Sequence, residues 1–278
     1  MFIGLMEYTM YSNNVKWQEL LPEEFINRQQ NCPVVYLPMG LCEPHGQIAA
    51  FGLDTIKAEY ICDNVAKTVG GIVAPTLGYH IHESGYHKPW LKEVVGDVNP
   101  RMTSMPPEAI LHFFLYQLRA FSNAGFKGAV IITGHAGGNQ KDLNMVAEEF
   151  MKISPMKIIV KADPELVEGK YIADHAGKYE ISQLLFLRPD LVNMEKISSQ
   201  YEEDNDLGRF ALGDDANEAN PSYGKSIMEE CCIHTENLVK QMLPTLDDVI
   251  PEKISSEQIS NIWSEILIQK NKWFTNNS

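Results

Sequence analysis

Two short stretches of this chain concentrate side chains that bind metal ions. Leu37-Pro38-Met39-Gly40-Leu41-Cys42-Glu43-Pro44-His45-Gly46 runs on to Asp54, and Ile132-Thr133-Gly134-His135-Ala136-Gly137-Gly138-Asn139 forms the second. Glu43, His45, Asp54 and His135 are carboxylates and imidazoles, the usual ligands of zinc, manganese and iron. Glu43 and His45 are one residue apart, so a turning segment stiffened by Pro44 can aim both at one cavity. Asp54 lies nine residues after His45, and its two carboxylate oxygens can bridge two ions. His135 follows an apolar run and precedes Gly137-Gly138, where missing side chains leave room beside an ion. The chemistry such a set predicts is hydrolysis, in which a divalent ion makes water nucleophilic toward a carbonyl carbon.

Each residue also has a plainer reading when taken alone. A Glu-x-His pair is common, Asp54 is what a helix N-cap looks like, and His135 would pass for a surface loop histidine. A third constellation adds to them: Asp174-His175-Ala176-Gly177-Lys178-Tyr179-Glu180-Ile181-Ser182. Leu184, Leu185 and Leu187 follow, so Glu180 falls early on a buried helix, with His175 in the loop before it. A carboxylate there is expensive to bury unpaired, so Glu180 either caps the helix or faces a cation or a proton donor. His80, His82 and His87 lie in a segment without clear period, where at least one of them can face a substrate. His112 and His234 sit in helical patterns and read as ordinary packing or surface residues.

The elements that must position these groups alternate. Pro33 to Gly40 reads as a buried strand, and Asp54 to Val69 as a helix ended by Gly70-Gly71. Ile72 to Leu77 reads as a second strand. Residues 78–105 are irregular, which in a compact enzyme marks a functional loop. Pro106-Pro107-Glu108 opens a helix that runs to Gly125. Gly128 to Thr133 is the clearest strand, followed by a helix over Lys141 to Met151 and a strand over Met156 to Val160. This order predicts an α/β fold with a mainly parallel sheet covered by helices, and places the ligand stretches where strands end, the usual seat of function in open sheets. Residues 200–225, rich in Glu, Asp, Asn and Gly, read as a surface loop, and helices over about 224–242 and 256–274 close the chain. No repeat or low-complexity segment divides it, so residues 1–278 are expected to form a single domain.

Composition narrows the partners. The chain has 278 residues, 44% of them hydrophobic, and a formal net charge of −14. That charge argues against nucleic acid or an anionic membrane as a partner and leaves a small-molecule substrate. Cys32, Cys42, Cys62, Cys231 and Cys232 are odd in number and lack CxxC spacing, as expected of reduced thiols in a cytosolic protein. The start, Met1 to Glu7, has no basic region, and no stretch approaches the roughly 20 apolar residues of a membrane span. A cytoplasmic protein is expected.

The motifs in order resemble the creatininase (creatinine amidohydrolase) family. They are Leu-Pro-Met-Gly-x-x-Glu-x-His-Gly with Asp nine positions after the His, Thr-Gly-His-x-Gly-Gly-Asn, and His-Ala-Gly-x-x-Glu-x-Ser. Gly213-Asp214-Asp215-Ala216-Asn217 followed by Gly224 is similar to the family's late glycine-containing motif. The resemblance covers roughly residues 33–240. It implies a three-layer α/β/α sandwich, assembly as a homo-oligomer, often a hexamer, and one or two divalent ions (Zn, Mn or Fe). Glu43, Asp54 and His135 would bind one ion, and His45 with the bridging Asp54 the second. His175 matches a histidine implicated in proton transfer. The chain also departs from the family: Pro44 replaces a common Gln, and Gln47-Ile48 replaces Pro-His. Gly137 stands where creatininase carries an acidic residue, so the second ion's acidic ligand is either missing or supplied by Glu180, and the substrate segment usual after residue 85 is not recognisable. Creatinine is therefore not the expected substrate. The expected reaction is hydrolysis of a small cyclic amide or related carbonyl compound, with proton transfer by His175 or Glu180. The alternatives are ring opening of a cyclic ketone or cyclitol derivative, and a non-catalytic metal-binding protein.

Overall fold

The computed structural model describes residues 14–84, 87–95, 101–201 and 211–276. The start Met1 to Glu7, the side chain of His87 and the middle of the acidic stretch at 200–225 lie outside the described residues. In chain order the elements are α1 (Pro22–Asn31), β1 (Val34–Met39), α2 (Leu53–Val69), β2 (Ile72–Val73), β3 (His80–Ile81), α3 (His87–Val95), β4 (Ser104–Met105), α4 (Pro107–Asn123), β5 (Gly128–Thr133), α5 (Asn139–Met151), β6 (Lys157–Ala162), α6 (Lys178–Leu187), α7 (Pro221–Met242) and α8 (Ser256–Ile268).

β1 and β5 are apolar throughout because both of their faces are covered. Each is buried at every position. They pair in parallel from Val34 with Gly128 to Met39 with Thr133. β2 and β6 flank them, also in parallel, giving the order β2-β1-β5-β6. Side chains alternate across the sheet with period two. Val35, Leu37, Ala129 and Ile131 face a core built with Phe114 and Leu118 of α4, Leu143 and Phe150 of α5, and Ile259 of α8. Val34, Tyr36, Val130 and Ile132 face the opposite core, with Ile61 and Val65 of α2 and Ile227 and Val239 of α7. These are the three layers of an α/β/α sandwich. Among the described residues, no helix is long and apolar enough to cross a membrane.

Three sequence expectations change. Ile72 to Leu77 pairs as a strand only at Ile72–Val73, with Leu77 making a single bridge to Met39. The 78–105 segment contains helix α3, and β3 pairs in parallel with β4. These pieces are too short for local periodicity to reveal, and β3 and β4 exist through each other. The closing helix ends at Ile268, and short 3-10 turns carry the chain on to Asn276.

Candidate metal centre

The C-terminal ends of β1 and β5 open onto one cavity. β1 leads into the loop carrying Glu43 and His45, and β5 into the loop carrying His135. The first turn of α2 brings Asp54 between them. A β-carbon at Gly134 would collide with the Asp54 carbonyl, so only glycine lets α2 start this close to β5. Asp54 is inside α2, with Gly52 at the N-cap position, and so is not the helix cap. α6 brings Glu180 in its first turn and His175 in the loop before it. Asp174 caps that end, accepting from the amides of Gly177 and Tyr179 at 2.9 and 2.7 Å. Asp215 of the late glycine motif accepts from the amide of Lys178.

The six residues expected from the sequence therefore form one cluster. Glu43 Oε1 lies 2.9 Å from His135 Nδ1. Asp54 spans the cluster: Oδ2 is 3.4 Å from His135 Nδ1 and Oδ1 is 3.8 Å from His45 Nε2. His45 Nε2 lies 3.4 Å from Glu180 Oε2. Glu43, His45, Asp54, His135 and Glu180 are all buried, and neither oxygen of Asp54 meets a hydrogen-bond donor among the described residues. Buried polar atoms without partners are rare. A cation between the two histidines would satisfy both oxygens. The ligand atoms of His45, Asp54 and Glu180 lie within 4.8 Å of one another, as do those of Glu43, His82 and His135.

Hydrogen bonds on the far side of three imidazoles, those of His45, His175 and His82, fix which nitrogen of each carries the lone pair. His45 Nδ1 donates to the Glu43 carbonyl at 3.0 Å, which leaves Nε2 with a lone pair toward Asp54 and Glu180. His175 Nε2 donates to the Pro44 carbonyl at 2.9 Å, which leaves Nδ1 as an acceptor facing Glu43 and Glu180 at 4.0 and 3.8 Å. His82 is the reverse. Its Nδ1 accepts from the amide of Glu83 at 2.8 Å, so the neutral ring carries its hydrogen on Nε2, 3.3 Å from Glu43 Oε2. An N–H cannot ligate an ion, so we read His82 as a hydrogen-bond donor to Glu43 rather than as a ligand, despite its place in the second cluster.

Electrostatics also ask for a cation. Glu43, Asp54, Asp163 and Glu180 are buried around a single buried ammonium, Lys57. Burial, with the charge of Glu43 added, raises the pKa of Asp54 to about 7. Burial pulls His45 and His135 down, but the facing carboxylates outweigh it and raise them to about 9 and about 10. Burial lowers Lys57 too, yet Asp163, Glu180 and Asp54 lift it well above the ordinary lysine value. Protons collect where positive charge is short, which is the donor set a divalent ion would occupy.

Sequence reasoning missed Lys57, Asp163 and Trp90. Lys57 offered a signal: it lies three residues after Asp54 on the buried stripe that continues through Ala58, Ile61 and Val65. Trp90, on α3, packs edge-on to His175 with ring centroids 5.0 Å apart. Of the irregular-segment histidines, His82 lines the cavity with Trp90, Glu43, His135, His175 and Glu180, and His80 is buried 5.7 Å from the His135 ring centre. The cavity is about 270 Å³. His112 stacks on Trp263 at 4.5 Å, a packing role as expected. Ile48 is buried against Ile181 and Ala216, so the altered residue after the first motif anchors its loop to α6.

Comparisons with known proteins point to one family. The family model for creatininase, described as creatinine amidohydrolase, matches residues 18–236. A creatinine amidohydrolase of Pseudomonas putida is 26% identical over 182 residues, which is 59% of this chain and 68% of that protein. A 3-dehydro-scyllo-inosose hydrolase of Thermotoga maritima is 24% identical over 196 residues, 65% of this chain and 58% of that protein. A solved structure of manganese creatininase superposes with a TM-score of 0.68 at 20% identity, covering 83% of this chain and 99% of its own.

Proposed function

We propose that this chain, which belongs to the creatininase (creatinine amidohydrolase) family, is a metal-dependent hydrolase of a small cyclic amide or related carbonyl compound. The observation that carries the reading is the Asp54 carboxylate, buried without a hydrogen-bond donor and facing a histidine nitrogen from each oxygen. Glu43, Asp54 and His135 would hold one ion, and His45, Asp54 and Glu180 a second. A manganese form among the similar structures and the mixed carboxylate and imidazole donors favour manganese or zinc. When bound, such an ion lowers the pKa of a water from 15.7 toward roughly 7 and polarises a carbonyl.

The chain's own residues supply the rest. His175 holds a fixed tautomer through Pro44, and its Nδ1 is free to accept a proton as water attacks and to return it to the leaving nitrogen. It is 26% exposed at the cavity mouth, where a substrate meets it. Glu180 is held as an anion by Lys57 and by the amide of Ala176, so it suits a ligand better than an acid. His82 donates to Glu43 and fixes its free oxygen. Trp90 and His82 offer flat walls, and among the described residues no lysine or arginine lines the cavity, so its described lining favours an uncharged ring over a phosphorylated one. Its volume sits below the ~300–1,000 Å³ of drug-sized pockets and suits a single small ring.

The test is turnover by manganese- and zinc-loaded protein of a panel of lactams, formamides and cyclic ketones, with creatinine included. Metal-dependent opening of a lactam, with creatinine a poor substrate, is the expected result. Turnover of cyclic ketones alone would move the reading to ring opening at carbon. Bound metal with no turnover across the panel would leave a metal-binding protein.

A further inference from the structure

Lys57 is the only lysine or arginine buried among the described residues, at 1% exposure, and it takes no part in the proton transfer outlined above. A lysine stays charged in such a place only with opposite charges close by. Its Nζ donates to Glu180 Oε1 at 2.6 Å and lies 3.2 Å from Asp163 Oδ1 and 3.9 Å from Asp54 Oδ1. Asp163 follows directly on β6 and is itself held by the Tyr179 hydroxyl at 3.0 Å and the Gln183 amide at 3.2 Å. The clamp is therefore anchored on α2, α6 and the end of β6. The other oxygen of Glu180, Oε2, accepts from the amide of Ala176 at 2.9 Å and faces His45 Nε2 at 3.4 Å.

We propose that Lys57 is a positioning residue for a divalent ion held by His45, Asp54 and Glu180. Its ammonium fixes Glu180 through Oε1 and leaves Oε2 aimed into that half of the cavity. The proposal rests on the metal-dependent reading above. Groups that orient a metal ligand from behind commonly contribute 10–100-fold to metal affinity. An ammonium so near an ion also repels it, so the two effects have opposite signs. The geometry assigns the larger one to positioning, because Glu180 stands between Lys57 and His45 and gives each a different oxygen.

The experiment measures that sign. Metal-free wild type and Lys57→Met are titrated with Mn²⁺ or Zn²⁺ by calorimetry, and bound metal is counted after dialysis. The expected result is a fall of about 10–100-fold in affinity for the ion on the His45 side, with the ion on the Glu43–His135 side bound as in wild type. Lys57→Met leaves Asp163 and Glu180 facing each other and can fail to fold. The double variant Lys57→Met/Asp163→Asn removes the buried pair together, and its affinity for the same ion must fall by the same factor. A folded variant that binds as many ions as tightly as wild type, or more tightly, overturns the Lys57 assignment alone. Wild-type protein that takes up no ion overturns the metal reading and this proposal with it.

Discussion

The loop after β1 and the loop after β5 bring ligands to one cavity, yet different parts of the chain brace them. The first loop is tied down from within the 18–236 region that matches the family. His175 donates to Pro44, Ile48 packs on Ile181, and the amide of Asn193 donates to the Ile48 carbonyl at 2.7 Å. The second loop has its own bonds among Thr133, His135, Ala136 and Asn139, but the helix it feeds, α5, is tied to residues beyond that region. Asp142, in the first turn of α5, accepts from the amides of Phe274 and Thr275 at 2.8 Å each and from the Thr275 hydroxyl at 2.6 Å. Lys141 Nζ sits 4.0 Å over the Phe274 ring, and Ser84 donates to the Thr275 carbonyl at 3.1 Å. One half of the centre is thus braced by the segments that also carry its ligands. The other half leans on a C-terminal strap that carries none, so damage to the strap should reach His135 and spare His45.

The residue that belongs to both halves should show the largest effect. Asp54→Ala removes the carboxylate that faces His45 and His135 alike, so both ions should be lost and turnover should fall to background. The fold should persist, because Asp54 caps nothing. Metal analysis with circular dichroism checks this, and a variant with full metal content would confine Asp54 to a structural part. The same logic predicts that chelation of the wild type abolishes turnover. Added metal at 100 times its dissociation constant should then return about 2.7 kcal/mol of stability, read as a rise in Tm.

The next effects should separate rate from binding. His175→Ala should lower kcat by about 10²–10⁴-fold with both ions retained, since its Nδ1 stands 3.8 Å or more from the carboxylates it faces. Wild-type turnover in that variant would remove His175 from the reaction. Glu180→Gln should weaken the His45-side ion by more than about a hundredfold, beyond the roughly 10–100-fold that loss of a group behind a ligand costs, and leave the His135-side ion in place. Equal loss of both ions would mean that the two halves are one unit.

Much of this was legible in the sequence because it was written locally. β1 and β5 are continuous apolar runs, α2, α4 and α5 follow helical spacing, and the six site residues sit in three short motifs. What escaped was what depends on distant partners. Lys57 resembles any helix lysine until Asp163 and Glu180, more than a hundred residues away, converge on it. His82 acquires its direction from the pairing of β3 with β4, each two residues long. Its tautomer depends on one backbone amide that no spacing reveals. The strap is legible only as the end of an amphipathic helix, because Asp142 and Thr275 are 133 residues apart.

The smallest expected effect tests the strap itself. Thr275 is fully buried, and Thr275→Val keeps its shape while deleting the hydroxyl that donates to Asp142 Oδ2. A hydrogen bond to a charged group contributes about 1.5–3 kcal/mol. At roughly 2–4 °C per kcal/mol for a chain of this order, Tm should fall by about 3–12 °C. Asp142 keeps its two backbone donors, so the strap should loosen rather than detach. The loop after β5 should then hold its ion less well, by under about tenfold on the scale of groups that support a ligand from behind. The ion between His45 and Glu180 should be bound as before, because the strap's hydrogen bonds run to Asp142 of α5, Ser84 and Glu108 of α4. A variant with wild-type Tm would show that the hydroxyl braces nothing. A lowered Tm with both ions weakened equally would show that the strap supports the whole sandwich, and the contrast between the two loops would fail.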